Sequence, residues 1–223
     1  YNWHGTCFIL TGALKDYEAA SKKPPLRHVK LMKKDKHGNS CNKLLPVNIF
    51  TLAAVKFDYN KSITFAEKLY GSNGIYFDIR QQLCLALTET QQTKLAVIDG
   101  QCKWDQNNAE QDDLFELVKG RVGAGISIFI VGGINTDGKT TLAGCAGHSP
   151  SKPAAVVSAT GTMYTLAHEL GHVLLTSTFS PVHETSNSNI MVNGTHNIPA
   201  DSFPTFNATQ IKQILKSTHL KDC

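Results

Sequence analysis

The chain has 223 residues and a mass of 24.3 kDa, enough for one large domain with a continuous core and too many for a disulfide-only miniprotein. Its 41% hydrophobic and 18% charged residues, with 17 Gly and 8 Pro, exclude a disordered tail and a fibrous repeat. The net charge of +4 includes only one dense basic run, at Lys30, Lys33, Lys34 and Lys36, which is a thin footprint and argues against a nucleic-acid partner.

Residues 1–25 read as an N-terminal appendage, closed by a plausible hinge at Lys22-Lys-Pro-Pro, and residues 26–223 as one folded domain. The opening Tyr1-Asn-Trp-His is polar and aromatic, which predicts a mature or excised terminus rather than a signal peptide. A β-branched run at 46–55 predicts a strand. Ile63, Ala66, Leu69 and Tyr70 at helical spacing, closed by Gly71, predict a helix over 62–70. Strands are expected at 74–80 and 94–99. A helix is expected over 108–119, with Glu110, Asp112 and Asp113 near its positive end and Gly120 as its stop. The fully apolar 126–131 reads as a central strand, and the short, Gly-rich 141–147 as an edge strand that something approaches closely. A buried strand at 154–158 and a helix over 162–175, with Thr160 or Thr162 as N-cap, complete the pattern. Strands alternating with helices predict an α+β or α/β fold, a twisted mixed sheet with helices packed on it. No apolar stretch approaches the roughly 20 residues of a membrane-spanning helix, so no membrane span is expected.

Six cysteines (Cys7, Cys41, Cys84, Cys102, Cys145, Cys223) are widely spaced with no C-x-x-C pair, which reads as up to three disulfides of open connectivity and an oxidising compartment. Buried thiols, such as Cys84 in its apolar context, are the alternative. Asn60-Lys-Ser, Asn193-Gly-Thr and Asn207-Ala-Thr fit the N-glycosylation pattern and lean towards a secreted or extracytoplasmic location.

The strongest chemical signal is His168-Glu169-Leu170-Gly171-His172. Two histidines four apart on a helix share a face, so both imidazoles reach one Zn²⁺, and Glu169 faces the open coordination position as a proton acceptor. The surrounding Met163, Leu166, Ala167, Leu170, Val173 and Leu174 are core-like, and charged or polar groups there are costly to bury without a metal or partners. A third protein ligand must come from His183, Glu184, His196, Asp201, His219 or Asp222.

The segment from His183 to Met191, together with the order Leu142-Ala-Gly-Cys-Ala-Gly, Ala154-Ala-Val-Val-Ser and Thr165-Leu-Ala-His-Glu-Leu-Gly-His, resembles the metzincin zinc endopeptidases, the matrixins in particular. The resemblance implies a metzincin-like fold over 26–223, one catalytic Zn²⁺ held by His168, His172 and His183, and Glu169 as general base. It also implies Met191 as the methionine of the turn beneath the metal. A protein or peptide substrate is expected to lie extended along Leu142, Ala143, Gly144, Cys145 and Ala146. The chain departs from the family motif: the glycine and third histidine expected three and six residues after His172 are Leu175 and Thr178, so His183 follows an apparent insertion in which Ser180-Pro181 provides the break. No tyrosine follows Met191, so the metal-assisting tyrosine of some metzincin branches has no counterpart.

Gly133-Ile-Asn-Thr-Asp-Gly138-Lys139-Thr140 matches the phosphate-loop pattern, which alone would predict an NTPase. The following residues lack a helical period, so there is no helix terminus to hold phosphates, and the segment reads as a hairpin turn into the edge strand. The expected function is a zinc-dependent endopeptidase, taken as a monomer. The alternative from another class is a toxin-like effector or binding module acting through its surface.

Overall fold

The structure, a computed structural model, describes residues 41–52, 59–85, 87–99, 102, 109–120, 123–136, 140–148 and 151–223. The expected appendage, its hinge, the basic run, Cys7 and Lys139 lie outside the described residues.

The main sheet is built on the most apolar segments of the chain. Strand β1 (Lys43–Thr51) lies between β2 (Ile75–Cys84) and β4 (Ile126–Val131), all parallel, and β8 (Ala154–Ser158) continues the parallel set beyond β4. The two-residue β7 (Gly144–Cys145) closes that side antiparallel, giving the order β2-β1-β4-β8-β7, and β9 (Lys221–Asp222) pairs antiparallel with the start of β1. A second sheet orders β3 (Val97–Asp99), β5 (Gly133–Thr136) and β6 (Thr140–Thr141). This mixed sheet with an antiparallel edge is the expected fold class.

Period-two alternation divides the sheet's side chains between two cores. Leu45, Val47, Ile49, Ile126, Ile128, Ile130, Ala155 and Val157 join one core with helices α1 (Tyr59–Gly71) and α4 (Thr165–Leu175). Phe50, Phe129, Val131, Ala154 and Val156 join the other with Leu95, Leu114 and Ile134, from α2 (Glu89–Leu95), α3 (Ala109–Leu117) and β5. Helix α5 (Ala208–Ile214) packs against α4 and contributes Ile214 to the first core.

Three local expectations are corrected. The strand expected over 94–99 is only Val97–Asp99, because Lys94 and Leu95 end helix α2, whose start is fixed by a capping box between Thr88 and Gln91. The histidine-bearing helix begins at Thr165 with Tyr164 as N-cap; Thr162 lies two residues before that cap, its hydroxyl accepting from the Tyr164 amide at 3.2 Å. That helix stops at Thr176, which turns to φ +69°, before Ser180-Pro181 is reached. The phosphate-loop lookalike, by contrast, pairs as the expected β-hairpin, with Asn135 opposite Thr141 and Thr136 opposite Thr140, and β6 is followed by β7 rather than a helix. The thiol alternative for Cys84 also falls, since Cys84 is disulfide-bonded, as are Cys41 with Cys223 and Cys102 with Cys145.

Candidate metal centre

Helix α4 runs wholly inside the molecule, every residue from Thr165 to Leu175 being buried. Its 3.6-residue period puts His168 and His172 one above the other, and their Nε2 atoms stand 3.0 Å apart. The chain leaves the helix at Thr176 and returns to set His183 Nε2 3.1 Å from His172 Nε2. Among the described residues these three are the one group of His, Cys, Asp or Glu whose ligand atoms converge, all within 4.8 Å. Two imidazole nitrogens on one tetrahedral zinc, each at roughly 2.0–2.1 Å, stand about 3.3 Å apart, so the observed spacings fit such an ion closely.

The protonation states agree with ligand chemistry. Burial drives the His168 pKa down to about 4, and burial with the neighbouring imidazoles drives His172 to about 2. Burial lowers His183 as well. All three are therefore neutral at pH 7 and offer lone pairs. His168 Nδ1 donates to the Ile190 carbonyl at 2.8 Å, which leaves Nε2 as the free acceptor facing its partners.

The other candidates for a third ligand are occupied elsewhere or stand apart. Glu184 Oε1 accepts from Asn207 at 2.9 Å and Gln210 at 3.4 Å. His219 stacks edge-on to His148, Asp222 pairs with Lys43, and Asp201 is exposed. His196 lines the same cleft outside the triad.

Glu169 is buried, and burial raises its carboxyl pKa to about 8. It shares a cleft of about 470 Å³ with the three histidines. One wall is Leu142, Ala143, Gly144, Cys145 and Ala146, all five of the expected substrate-edge residues; the other includes Val182, Asn193, Gly194, Thr195 and His196. The approach of wall and base is close enough to require a glycine: a Cβ at Gly144 would stand 2.6 Å from Glu169 Cγ and would overlap its Oε1. Strand β7 ends the sheet, and Ala143 O already accepts from Ser158 N at 2.9 Å. Alternation along an antiparallel strand then turns the Gly144 amide and carbonyl to the open edge.

Met191 is fully buried under the helix. A Cβ at Gly171 would overlap Met191 Sδ and stand 3.3 Å from Phe206 Cε1, so the second glycine of this region lets the sulfur lie against the helix between the two histidines. The turn around it is held from below. Met191 N donates to Asn189 Oδ1 at 2.8 Å, Asn189 Nδ2 to Gln210 Oε1 at 2.9 Å, and Glu184 N to Met191 O at 2.8 Å. Sequence reasoning missed both glycine contacts, the Ile190 carbonyl, the Gln210 support and the Asn193–His196 wall. The Gly171 between the two histidines was the one visible hint, because a glycine inside a buried helix calls for a close neighbour.

No family model matches the sequence, and no curated protein matches it. Among solved structures the chain is similar to metalloproteinase-II from Bacteroides fragilis, with a TM-score of 0.50 over 86% of this chain at 16% identity. The match spans 58% of that protein's length. At this identity the likeness is one of fold alone.

Proposed function

We propose that the chain is a zinc-dependent endopeptidase of the metzincin type, acting outside the cytoplasm on extended polypeptide. One observation carries this reading: three neutral imidazole nitrogens converge beside a buried carboxylate, in a cleft whose far wall is the open edge of a sheet. The metalloproteinase fold of the Bacteroides protein supports it, and the disulfides support the location.

His168, His172 and His183 would hold the metal, with Glu169 excluded from the ligand set and free to handle protons. Zinc bound there supplies Lewis acidity, which makes a coordinated water ionise near neutral pH. A polypeptide laid along β7 pairs its backbone with the Gly144 amide and carbonyl, which aligns the scissile bond over the histidines. Glu169 takes the proton of the attacking water and delivers it to the departing amine. Its burial raises its proton affinity towards the neutral range, where both transfers are easiest. Met191 fills the space under the helix and keeps water from the ligands' rear.

The test is metal analysis of the purified protein joined to digestion of an unfolded protein. Zinc at one equivalent, cleavage abolished by a chelator and restored by Zn²⁺ are expected. A fully zinc-loaded protein that leaves a range of unfolded substrates intact would overturn the proposal.

A further inference from the structure

Strand β7 is only two residues long and stands directly against the base. It pairs with β8 at Gly144 with Val157 and Cys145 with Val156, Ser158 N donates to Ala143 O at 2.9 Å just before it, and among the described residues no strand flanks its other side. Beyond β7, Gln111 Nε2 donates to the Gly147 carbonyl at 3.0 Å. Before β7, Leu142 N donates to Ile134 O at 2.7 Å, and within it the tie is covalent: Cys145, 3% exposed, is bonded to Cys102, and Cys102 itself lines the cleft. Cys102 takes a left-handed backbone conformation, φ +47°, which a residue with a Cβ keeps only where its surroundings hold it.

We propose that the Cys102–Cys145 disulfide is a positioning device of the cleft, fixing β7 against α4 at the separation that Gly144 and the Glu169 carboxylate require. Movement of β7 inward is already barred, since Gly144 has no room for even a methyl group against Glu169. Outward movement is opposed by the two strand pairs, by the hydrogen bonds at Leu142, Ala143 and Gly147, and by this bond. Without it, the edge that receives the substrate backbone drifts from the histidines, and Glu169 gains freedom to turn out of line. The kinetic consequence rests on the peptidase reading, whereas the effect on β7 does not.

The test compares two variants. C102A/C145A removes both sulfurs, so that no free thiol is left beside the histidines, and C41A/C223A removes the bond that joins the start of β1 to the chain's last residue. Hydrogen exchange of the amides at position 145 and at Val156 should quicken about tenfold or more in C102A/C145A and stay unchanged in C41A/C223A. Bound zinc should remain at one equivalent in both. KM for an extended peptide should rise about tenfold or more in the first variant alone, because backbone pairing along the edge is what is lost. Unchanged exchange at β7 in C102A/C145A would overturn the proposal, as would equal effects of the two variants on KM. If C102A/C145A does not fold, the same exchange is read on native protein treated with a dithiol, which gives up two electrons and two protons, becomes a cyclic disulfide and leaves Cys102 and Cys145 as thiols. Wild-type protein that cleaves nothing would defeat the peptidase reading, and the exchange comparison would still decide the role of the disulfide.

Discussion

The two glycines beside the histidines show how closely the site is packed, and each makes a different prediction. At Gly144 a methyl group would overlap Glu169, not the ligands. Gly144→Ala should therefore keep zinc while kcat/KM falls by roughly a hundredfold, the cost of misplacing a catalytic group by about 1 Å. At Gly171 a methyl group meets Met191 and Phe206 in a filled core. Overpacking of this kind costs about 1–3 kcal/mol, and the better helix propensity of alanine returns up to about 1 kcal/mol, so Gly171→Ala should be destabilising. A lower urea midpoint at unchanged slope would show it, and a stabilised variant would mean that Met191 moves aside freely. Glu169→Gln should also retain zinc and lose activity by about 10²–10⁴-fold, because the amide cannot accept the proton. Near-native turnover in that variant would remove Glu169 from the mechanism.

At the scale of elements, helix α5 supports the site from outside it. Gln210 is fully buried and serves three times: its side chain closes the capping box with Asn207, donates to Glu184, and receives Asn189, the residue that holds the Met191 amide. Gln210→Ala should cost about 1–3 kcal/mol, since buried partners are left unsatisfied, and should couple to Asn189→Ala in a double-mutant cycle by about 0.5 kcal/mol or more. Additive effects would show that the Met191 turn stands without α5. None of this was legible in the sequence, because α5 shows few apolar positions and its role lies in hydrogen bonds across 21 residues. Helix α2 was hidden for a related reason: Leu95 is its single buried residue, so no apolar period marks it and its capping box alone sets its start. Strand β5 was hidden behind a phosphate-loop pattern, which records residue types but not the antiparallel pairing they make. By contrast β4, β8 and α4 were plain, because unbroken apolar runs and a strong helical period leave one economical way to bury them. The histidines and Glu169 were visible for the same reason, being costly groups on an otherwise apolar helix. What fixes their geometry, namely Gly144, the Ile190 carbonyl and the Cys102–Cys145 bond, comes from segments that meet only on folding.

At the scale of the whole molecule, the buried titratable groups of the site tie stability to pH in a way that metal should change. In protein stripped of metal, folding holds His168 and His172 below their unfolded value of 6.5, at about 4 and about 2. Their contribution is therefore complete above pH 6.5 and is lost as pH falls towards those values. Glu169 works in the opposite sense: its folded pKa of about 8 lies above the unfolded 4.5, so its contribution is complete below pH 4.5 and is lost as pH rises through 8. Between 4.5 and 6.5 the two histidines outweigh the one glutamate, and stability should rise with pH. Between 6.5 and 8 only Glu169 is still changing relative to the unfolded chain, and stability should fall by at most about 1.4 kcal/mol per pH unit. The metal-free protein should thus be most stable near pH 6.5. A cation among the histidines favours the ionised carboxylate beside it and the neutral imidazoles that bind it, so loading with Zn²⁺ should abolish the decline above pH 6.5 and steepen the loss below it, where the unfolded chain takes up protons that metal-bound imidazoles cannot. Urea midpoints across pH 5 to 8.5, with chelator and with zinc, would measure both curves. A metal-free protein whose stability climbs steadily through pH 8 would show that Glu169 is solvated in the folded state and is not the raised, proton-accepting carboxylate of this cleft.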